Sequence, residues 1–527
     1  MAANQGLKKW LWKQRASTRV AYLLQLVVRV LGSLMGMVWY RVLAGVMGKP
    51  QYGLFLAFQS VISFGGQGDL GVGSAVGIRV GQYFGQGKEK EGELHRFLAT
   101  ARTVFLLLGI AAGVGMLVLS PWLSHWFLPS EPQAGSRTLL FVVGSVAFAG
   151  AIFFSYLSNL NYACGNVTWP ILPSFVLLQF CMIAHWLLAR QRMPLWIQYL
   201  PYVLLTLSSL WLTYFFVRTS HRALAGLRPL LFDRRLAGAL FENSFWIYLC
   251  TLGNLLYKNT DNLVIGQGMK FGKFEAGSLV DYIGNYRFCD VALFLVIVAG
   301  YVSLPKITQW MASADPHDQE RARREMRRLN QFQTLLGCGA ALAYLAGNNL
   351  FIKIWMWHEK TPVLPMAITL QIAFALNLAI SASGDAGIQL AIRSGNRGLR
   401  TAGTAVALTG LLNLGLSIVA MRMSSFWGVA MATAVAQSVF SLVANFYTCR
   451  HLQVSWVPWV FKGWLIPSLG IYLAGWLRIL WPMDSLTHVS LLVIAYLAMF
   501  LLAAWGLGIN AQLIKDELKI LRGMFGK

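Results

Sequence analysis

Long apolar stretches alternate with short polar segments along the whole 527-residue chain. An α-helix needs roughly 20 apolar residues to cross a bilayer. About fourteen stretches reach that length, and they span 20–47, 54–78, 97–120, 136–160, 170–189, 195–217, 241–267, 278–304, 332–352, 363–391, 399–421, 426–449, 463–481 and 488–508. The pattern predicts an all-α polytopic membrane protein.

Charged residues interrupt several of these apolar stretches. A charge near the centre of a bilayer costs roughly 2.5–3.5 kcal/mol on insertion scales. Such charges are tolerated where they line an interior that protein encloses and water reaches. They are Arg29, Asp69, Lys258, Asp261, Arg287, Asp290 and Asp385. We therefore expect a transporter with a charged interior rather than a membrane anchor.

Polar residues of the first span recur at helical spacing. Gln25, Arg29 and Tyr40 share one face with Gly32 and Gly36, at steps of three and four residues. This face predicts a small, polar, substrate-contacting surface. Arg29 either faces that interior or extends its guanidinium to the nearby membrane surface.

The seventh span carries a stronger polar stripe. The stripe begins with polar positions at Asn243 and Thr251. It continues with Asn254, Lys258, Asp261 and Asn262. Lys258 and Asp261 are three residues apart and can neutralise each other. Even a neutralised pair is unfavourable against lipid, so the stripe is expected to face the interior.

In the eighth span, Arg287 and Asp290 are also three residues apart, with Asn285 and Tyr286 beside them. Arg287 is the best candidate for binding an anion, because a guanidinium meets a phosphate through two parallel hydrogen bonds. The alternative is an Arg–Asp pair that only stabilises its own helix.

Carboxylates inside the spans are candidates for a coupling ion. Asp69 lies within the glycine-rich run 65–73, which predicts close helix contact or a broken helix with Asp69 at the break. Asp385 follows Asn377 and Ser381 on one face of the tenth span, and Gln389 extends that face. With Asp261 and Asp290 they form the candidate set, although a carboxylate satisfied by its neighbours is the alternative at Asp69 and Asp385.

Two short patterns recur in equivalent places. Residues 48–53 (GKPQYG) return as 272–277 (GKFEAG), and 163–166 (ACGN) echo 393–396 (RSGN). Both indicate an internal duplication of six spans, hence parallel repeats. The predicted domains are an N-terminal lobe 1–217, a basic cytoplasmic linker 218–240, a C-terminal lobe 241–450, and two additional spans with a tail at 451–527.

Composition and charge support a membrane protein. The chain is 57% hydrophobic and 12% charged, with a mean hydropathy of +0.56 and a formal net charge of +24. Most basic residues fall in alternate loops, the positive-inside pattern that predicts both termini in the cytoplasm. The excess is therefore topological, with attraction to anionic membrane lipids, and nucleic-acid binding is excluded. The six cysteines show neither CxxC spacing nor His partners and are predicted to be small core residues.

The sequence lacks the motifs that are typical of enzymes. It contains no GxxxxGK[ST] nucleotide loop and no catalytic motif in a supporting context. We expect a protein that is not an enzyme, with no cofactor and no structural metal. Its driving force would come from an ion gradient, the membrane potential or downstream use of its substrate.

Several segments resemble polysaccharide transporters. They are 41–45 (RVLAG), 52–55 (YGLF), 69–74 (DLGVGS), 261–266 (DNLVIG), 286–288 (YRF) and Pro305. Together they resemble Wzx-type flippases for lipid-linked oligosaccharides, within the multidrug/oligosaccharidyl-lipid/polysaccharide exporter superfamily. That superfamily also includes lipid II flippases and multidrug extrusion antiporters.

The resemblance implies two six-helix lobes around a central cavity that opens alternately to either side of the bacterial inner membrane. It implies translocation of an undecaprenyl-pyrophosphate-linked oligosaccharide, with polysaccharide polymerase and glycosyltransferases as partners. Arg29, Lys258 and Arg287 suit the pyrophosphate, and the polar stripes suit sugar hydroxyls. The alternative is an ion-coupled antiporter for drugs or organic cations, which Asp69, Asp261 and Asp385 would suit.

Overall fold

A computed structural model describes the chain in segments. They are 18–63, 69, 71–73, 76, 80, 91–127, 134–163, 171–220, 231–275, 277–312, 315–356, 366–393, 396–453, 455–481 and 486–508. Across these segments the chain is helical, with no strand. The predicted all-α class is confirmed.

Fourteen helices occupy the positions of the fourteen predicted spans. The first seven are α1 (Thr18–Met47), α2 (Lys49–Ser63), α3 (Glu91–Phe127), α4 (Ala134–Ala163), α5 (Ile171–Arg190), α6 (Leu195–Ser220) and α7 (Arg234–Lys270). The next five are α8 (Ser278–Ala312), α9 (Pro316–Trp355), α10 (Ile368–Arg393), α11 (Asn396–Arg422) and α12 (Phe426–Leu452). The last two are α13, which runs from Trp456–Val460 through a π-helical turn at Phe461–Leu465 into Ile466–Leu480, and α14 (Leu486–Gly506).

Among the described residues, 11 helices are long and apolar enough to cross a membrane. The helices that do not reach this threshold are α2, α7 and α8. Two of them, α7 and α8, are among the longest helices and carry the polar stripes predicted for the seventh and eighth spans. Helix α2 is described over only 15 residues, and several side chains in the apolar second half of α8 lie outside the described residues.

The ninth helix is longer than its predicted span. Hydropathy limits the span to 332–352, but α9 begins at Pro316. Asp315 caps it by accepting the backbone N–H of His317 at 2.9 Å, and proline suits the first helical position. Its charged extension buries Ala322 and Met326 on one face. Amphipathic packing thus continues the helix into a segment that hydropathy alone predicts as a loop.

The described residues fall into two compact units. Unit 1 comprises Met1–Leu255 and Gly266–Leu279, and unit 2 comprises Leu256–Ile265 and Val280–Lys527. Helix α7 therefore contributes its segment Leu256–Ile265 to unit 2. The predicted domain limits at the 218–240 linker remain a prediction.

Helix packing follows the same scheme in each unit. In unit 1, α4 packs against α3 and α6, and α6 also packs against α5. In unit 2, α10 packs against α9 and α12, and α12 also packs against α11. These pairs are related by a shift of six helices, as the predicted duplication requires. The additional helices α13 and α14 pack on α9, and α13 also packs on α10.

The repeated glycine segment has the same backbone at its start. Gly48 and Gly272 end α1 and α7 with φ values of +79° and +66°. This left-handed conformation favours glycine and closes a helix C-terminus. Their N–H groups donate back to the carbonyls of Ala44 at 3.0 Å and Met269 at 3.2 Å. The sequence echo thus marks an equivalent helix end in both halves.

The described cysteines are buried and free. They are Cys181, Cys250, Cys289, Cys338 and Cys449. This agrees with the prediction that they are small core residues, and Cys164 lies outside the described residues.

Candidate functional site

Unit 2 contains a buried carboxylate on α7. Asp261 is 7% exposed. Its Oδ2 accepts the hydroxyl proton of Tyr282 from α8, and the Thr433 hydroxyl on α12 lies 2.8 Å from Oδ1 and 2.9 Å from Oδ2. A buried carboxylate is unfavourable unless it is paired or neutralised. Three helices therefore converge on one acidic group.

The acceptors around Thr433 outnumber its protons. Its hydroxyl faces both oxygens of Asp261 and also Oδ1 of Asn413 on α11, at 3.0 Å. A threonine hydroxyl carries one proton and can fully serve only one of these three acceptors. Ser417 donates to the same Asn413 oxygen at 3.3 Å. Tyr282, Thr433 and Ser417 thus bring three hydroxyl protons to three acceptor oxygens, and no cationic side chain is among the described partners of this cluster.

A small cation fits this donor set. Carboxylate, hydroxyl and amide oxygens are ligands that hard cations prefer. A single carboxylate among neutral oxygens balances one positive charge. No group of three His, Cys, Asp or Glu that could hold a metal ion occurs in the described part of the chain. The chemistry therefore suits a monovalent cation better than a divalent one.

The cluster extends to the predicted stripe on α10. The hydroxyl of Tyr257, one turn before Asp261 on α7, donates to Asn377 Oδ1 at 2.6 Å and lies 3.2 Å from Ser381 Oγ. Asn413 in turn donates to the Tyr257 carbonyl at 3.4 Å. Two members of the tenth-span stripe thus join the Asp261 cluster. The third, Asp385, instead lies 3.5 Å from Gln333 Nε2 on α9, and the side chain of Gln389 is not described.

The predicted anion ligand Arg287 is half-buried on α8. Its Nη1 lies 3.9 Å from Asp290 Oδ2, at the limit of an ion pair. The Asp290 side chain is 59% exposed and the Arg287 side chain 34%. A pair this long and this exposed contributes little to stability. The Arg287 side chain is thus partly exposed, and its role as an anion ligand remains a prediction.

Asn285 occupies a more enclosed position. It is fully buried and donates to the Asp281 carbonyl at 2.8 Å. Its Oδ1 accepts from Asn348 at 2.9 Å and from the Met366 backbone at 3.4 Å. These contacts connect α8, α9 and the residues before α10, which is enough to explain why Asn285 is buried. Substrate contact by Asn285 therefore stays a prediction.

The remaining predicted residues of α7 differ in exposure. Asn254 and Lys258 are exposed, and Asn262 is partly buried. Lys258 forms no ion pair with Asp261, although both side chains are described. The suggested mutual neutralisation therefore does not occur, and the charge of Asp261 is left to the cluster on α8, α11 and α12.

In unit 1, Asp69 lies at a helix break. It is buried and accepts the N–H groups of Gly71 at 2.9 Å and Gly73 at 3.1 Å, and Ser155 on α4 donates at 2.5 Å. Gly71 has a φ of +73°, and a Cβ there would lie 2.6 Å from the Ser244 carbonyl of α7. Gly71 thus combines a left-handed turn with close contact to α7, and residues 65–68 of the glycine-rich run lie outside the described residues. The contacts of Asp69 are those of a satisfied carboxylate.

The predicted face of α1 is described only in part. Tyr40 is buried and makes an edge contact with Tyr52, with ring centroids 5.2 Å apart. The side chains of Gln25 and Arg29 lie outside the described residues. Their predicted roles stay predictions.

Sequence reasoning missed most partners of Asp261. Tyr282, Asn413, Ser417 and Thr433 are neutral residues within apolar spans, which is an ordinary pattern for packed helices. The available signal was the spacing of Asn413 and Ser417, four residues apart on one face of α11.

Searches by sequence find no match: no protein-family model fits the chain, and no curated protein is similar enough to match it. Solved structures do resemble it. The lipid II flippase MurJ in its inward closed conformation matches with a TM-score of 0.66 and 14% identity, over 92% of this chain and 98% of MurJ. The eukaryotic MATE transporter AtDTX14 matches with a TM-score of 0.58 and 14% identity, over 85% of this chain and 98% of that one. An inward-facing MATE-family transporter of the MOP superfamily gives 0.58 and 11% identity, over 79% and 94%. At these identities the comparison establishes that the chain shares their fold.

Proposed function

We propose that this protein is a cation-coupled flippase that moves an undecaprenyl-pyrophosphate-linked oligosaccharide across the bacterial inner membrane. The observation that carries the coupling is the buried carboxylate of Asp261, whose partners among the described residues are neutral hydroxyl groups. A cation bound there would neutralise the buried carboxylate and draw α7, α11 and α12 together. Its release would leave three helices with an unbalanced charge, which favours a different arrangement.

The basic residues support an anionic substrate. Lys258 is exposed on α7, and the Arg287 side chain is partly exposed on α8. An antiporter for organic cations would place its cargo beside these positive charges, which repel it. Buried carboxylates are nonetheless what such an antiporter also needs, so the drug antiporter remains the second candidate. The lipid II flippase and the MATE transporters share this fold, and both substrate classes are therefore compatible with it.

The test uses the full-length protein in liposomes that contain a fluorescent undecaprenyl-pyrophosphate glycan. Flipping is measured by the fraction of headgroups that an external reagent can modify. We expect Arg287→Ala to abolish flipping at normal protein abundance. Arg287→Lys should restore it only partly, because an ammonium lacks the paired geometry of a guanidinium.

Two outcomes contradict the proposal. If the double variant Arg287→Ala/Asp290→Ala regains both flipping and the abundance that the single variant lost, the Arg–Asp pair is structural. If the liposomes instead exchange ethidium for protons, and Asp261→Asn abolishes this exchange, the protein is a drug antiporter.

A further inference from the structure

Arg478 is a buried cation that no described residue neutralises. It lies in the last turn of α13 and is 9% exposed. Its Nε is buried without a hydrogen-bond partner, and no carboxylate lies within ion-pair distance of its guanidinium in the described part of the chain. A buried charge without a partner is strongly unfavourable. Among the described residues, the guanidinium thus keeps hydrogen-bonding capacity that an anionic ligand could use.

Packing places Arg478 beside the beginning of α10. A Cβ on Gly463 of α13 would lie 3.8 Å from the Asn330 amide oxygen, and Asn330 donates to the Ser383 carbonyl of α10. Twelve residues later on α13, a Cβ on Gly475 would lie 2.2 Å from Ile372 of α10. The two helices therefore run antiparallel in direct contact.

That register extends to Arg478. It follows Gly475 by three residues on α13, so in antiparallel packing it lies level with the first turn of α10, near Thr369. A helix N-terminus carries partial positive charge and N–H groups without intrahelical acceptors. The first turn of α10 has no acidic residue to balance them. Among the described residues, two positive features thus meet without a negative one.

Aromatic and apolar residues locate this point at the membrane surface. Trp476 is 47% exposed two residues before Arg478, and Trp481 ends the helix. Tryptophan is enriched where membrane spans meet the headgroups. Leu473 and Leu480 on the same helix are exposed, as residues that contact lipid are. A phosphate of a lipid headgroup lies at this depth.

We propose that Arg478 and the N-terminal end of α10 form a binding site for a phosphate group, supplied by the headgroup of a membrane phospholipid. The guanidinium donates to the phosphate oxygens, and the helix end adds its partial charge. The hydroxyl of Tyr496 on α14 donates to the Ala474 carbonyl at 2.9 Å, which fixes α14 beside Arg478. The site is independent of the proposed transport, because it lies on the two additional helices and α10.

The first experiment measures thermal stability of the delipidated full-length protein in detergent. It is titrated with dioctanoyl phosphatidylglycerol, with dioctanoylglycerol, which lacks phosphate, and with inorganic phosphate. We expect the phosphatidylglycerol to stabilise the wild type, and the Arg478→Gln variant to bind it roughly tenfold more weakly or worse, as the loss of a charge-assisted hydrogen bond implies. Arg422→Gln is the matched control, because Arg422 also lies in the last turn of its helix but is exposed.

The arms distinguish the source of the phosphate. Stabilisation by the phospholipid but not by inorganic phosphate identifies the headgroup. Equal, Arg478-dependent stabilisation by inorganic phosphate overturns the lipid source and assigns the site to a free anion. If phosphatidylglycerol stabilises the wild type and Arg478→Gln equally, there is no phosphate site at Arg478.

A second variant protects the test against misfolding of Arg478→Gln. Arg478→Met keeps the length of the side chain and removes its charge. Without lipid we expect this variant to melt at a higher temperature than the wild type, because it no longer buries an unpaired charge. Saturating phosphatidylglycerol should reverse that order. A variant that is less stable than the wild type under both conditions would mean that Arg478 is satisfied within the protein, and the proposal would be wrong.

Discussion

Replacing Asp261 with asparagine tests the cation site most directly. The substitution keeps the shape of the side chain and removes its charge, so the donors from Tyr282 and Thr433 still find an acceptor. What is lost is the negative charge that balances a bound cation. We therefore expect Asp261→Asn to fold at normal abundance and to lose its response to Na⁺.

The size of the response follows from mass action. A ligand at about 100 times its dissociation constant stabilises the folded state by about 2.7 kcal/mol. For a unit of 150–250 residues, each kcal/mol shifts the melting temperature by roughly 2–4 °C. Na⁺ should thus raise the melting temperature of the wild type by roughly 5–10 °C over an equal concentration of choline. The Asp261→Asn variant should show no such shift.

Thr433→Val separates a cation site from an ordinary hydrogen-bond network. Valine has nearly the same shape as threonine but lacks the hydroxyl that faces Asp261 and Asn413. Losing it should destabilise the cation-free protein by about 1–3 kcal/mol and weaken the Na⁺ response. If the cluster is only a network, Thr433→Val lowers stability and the Na⁺ response is unchanged from the wild type.

Asp290→Asn is the matched control for these variants. It makes the same chemical change on α8, at a carboxylate that is mostly exposed, and it should retain the full Na⁺ shift. The reasoning is refuted if Asp261→Asn keeps that shift, or if the wild type responds to pH and not to Na⁺. The second result would assign the missing positive charge to a proton on Asp261.

Two further predictions concern unit 1 and the topology. Asp69→Asn should lower the melting temperature and the abundance of the protein, because a neutral amide binds the N–H groups of Gly71 and Gly73 less strongly than a carboxylate does. The Na⁺ response should not change. A lost Na⁺ response at normal abundance would contradict this prediction. Reporters fused after Arg235 and after Arg328 should be cytoplasmic, and one within residues 129–135 periplasmic. A periplasmic signal from either basic segment would overturn the predicted orientation and the argument for parallel repeats.

The positions of the helices were predictable because an apolar stretch of about 20 residues is typical of a membrane-spanning helix and rare in other structures. Their ends were less predictable, because packing rather than hydropathy decides them. Helix α9 shows this: Asp315 caps it and Ala322 is buried along its charged extension, well before the apolar span begins. A hydropathy window does not detect one buried face among charged residues.

The candidate site was predictable only where it carries charge. Asp261 stands out in an apolar span, and so does Arg287. The partners of Asp261 do not, because Thr433 and Asn413 are neutral and lie far along the chain, on α12 and α11. Only the folded structure brings Thr433 within 3 Å of the carboxylate and Asn413 to 3.0 Å from Thr433. Arg478 was missed for another reason, since an arginine near a helix end usually extends into water.

The contacts of the two buried carboxylates favour unit 2 for the proposed coupling ion. Asp69 in unit 1 accepts two backbone N–H groups and one serine hydroxyl, so donors are sufficient for its charge. Asp261 in unit 2 accepts from the hydroxyls of Tyr282 and Thr433, and Thr433 also faces Asn413. A site with sufficient donors is stable without a ligand and gains little stability from binding one. A buried carboxylate that only neutral hydroxyls hold gains stability when a cation arrives and loses it when the cation leaves, which is the property that coupling requires.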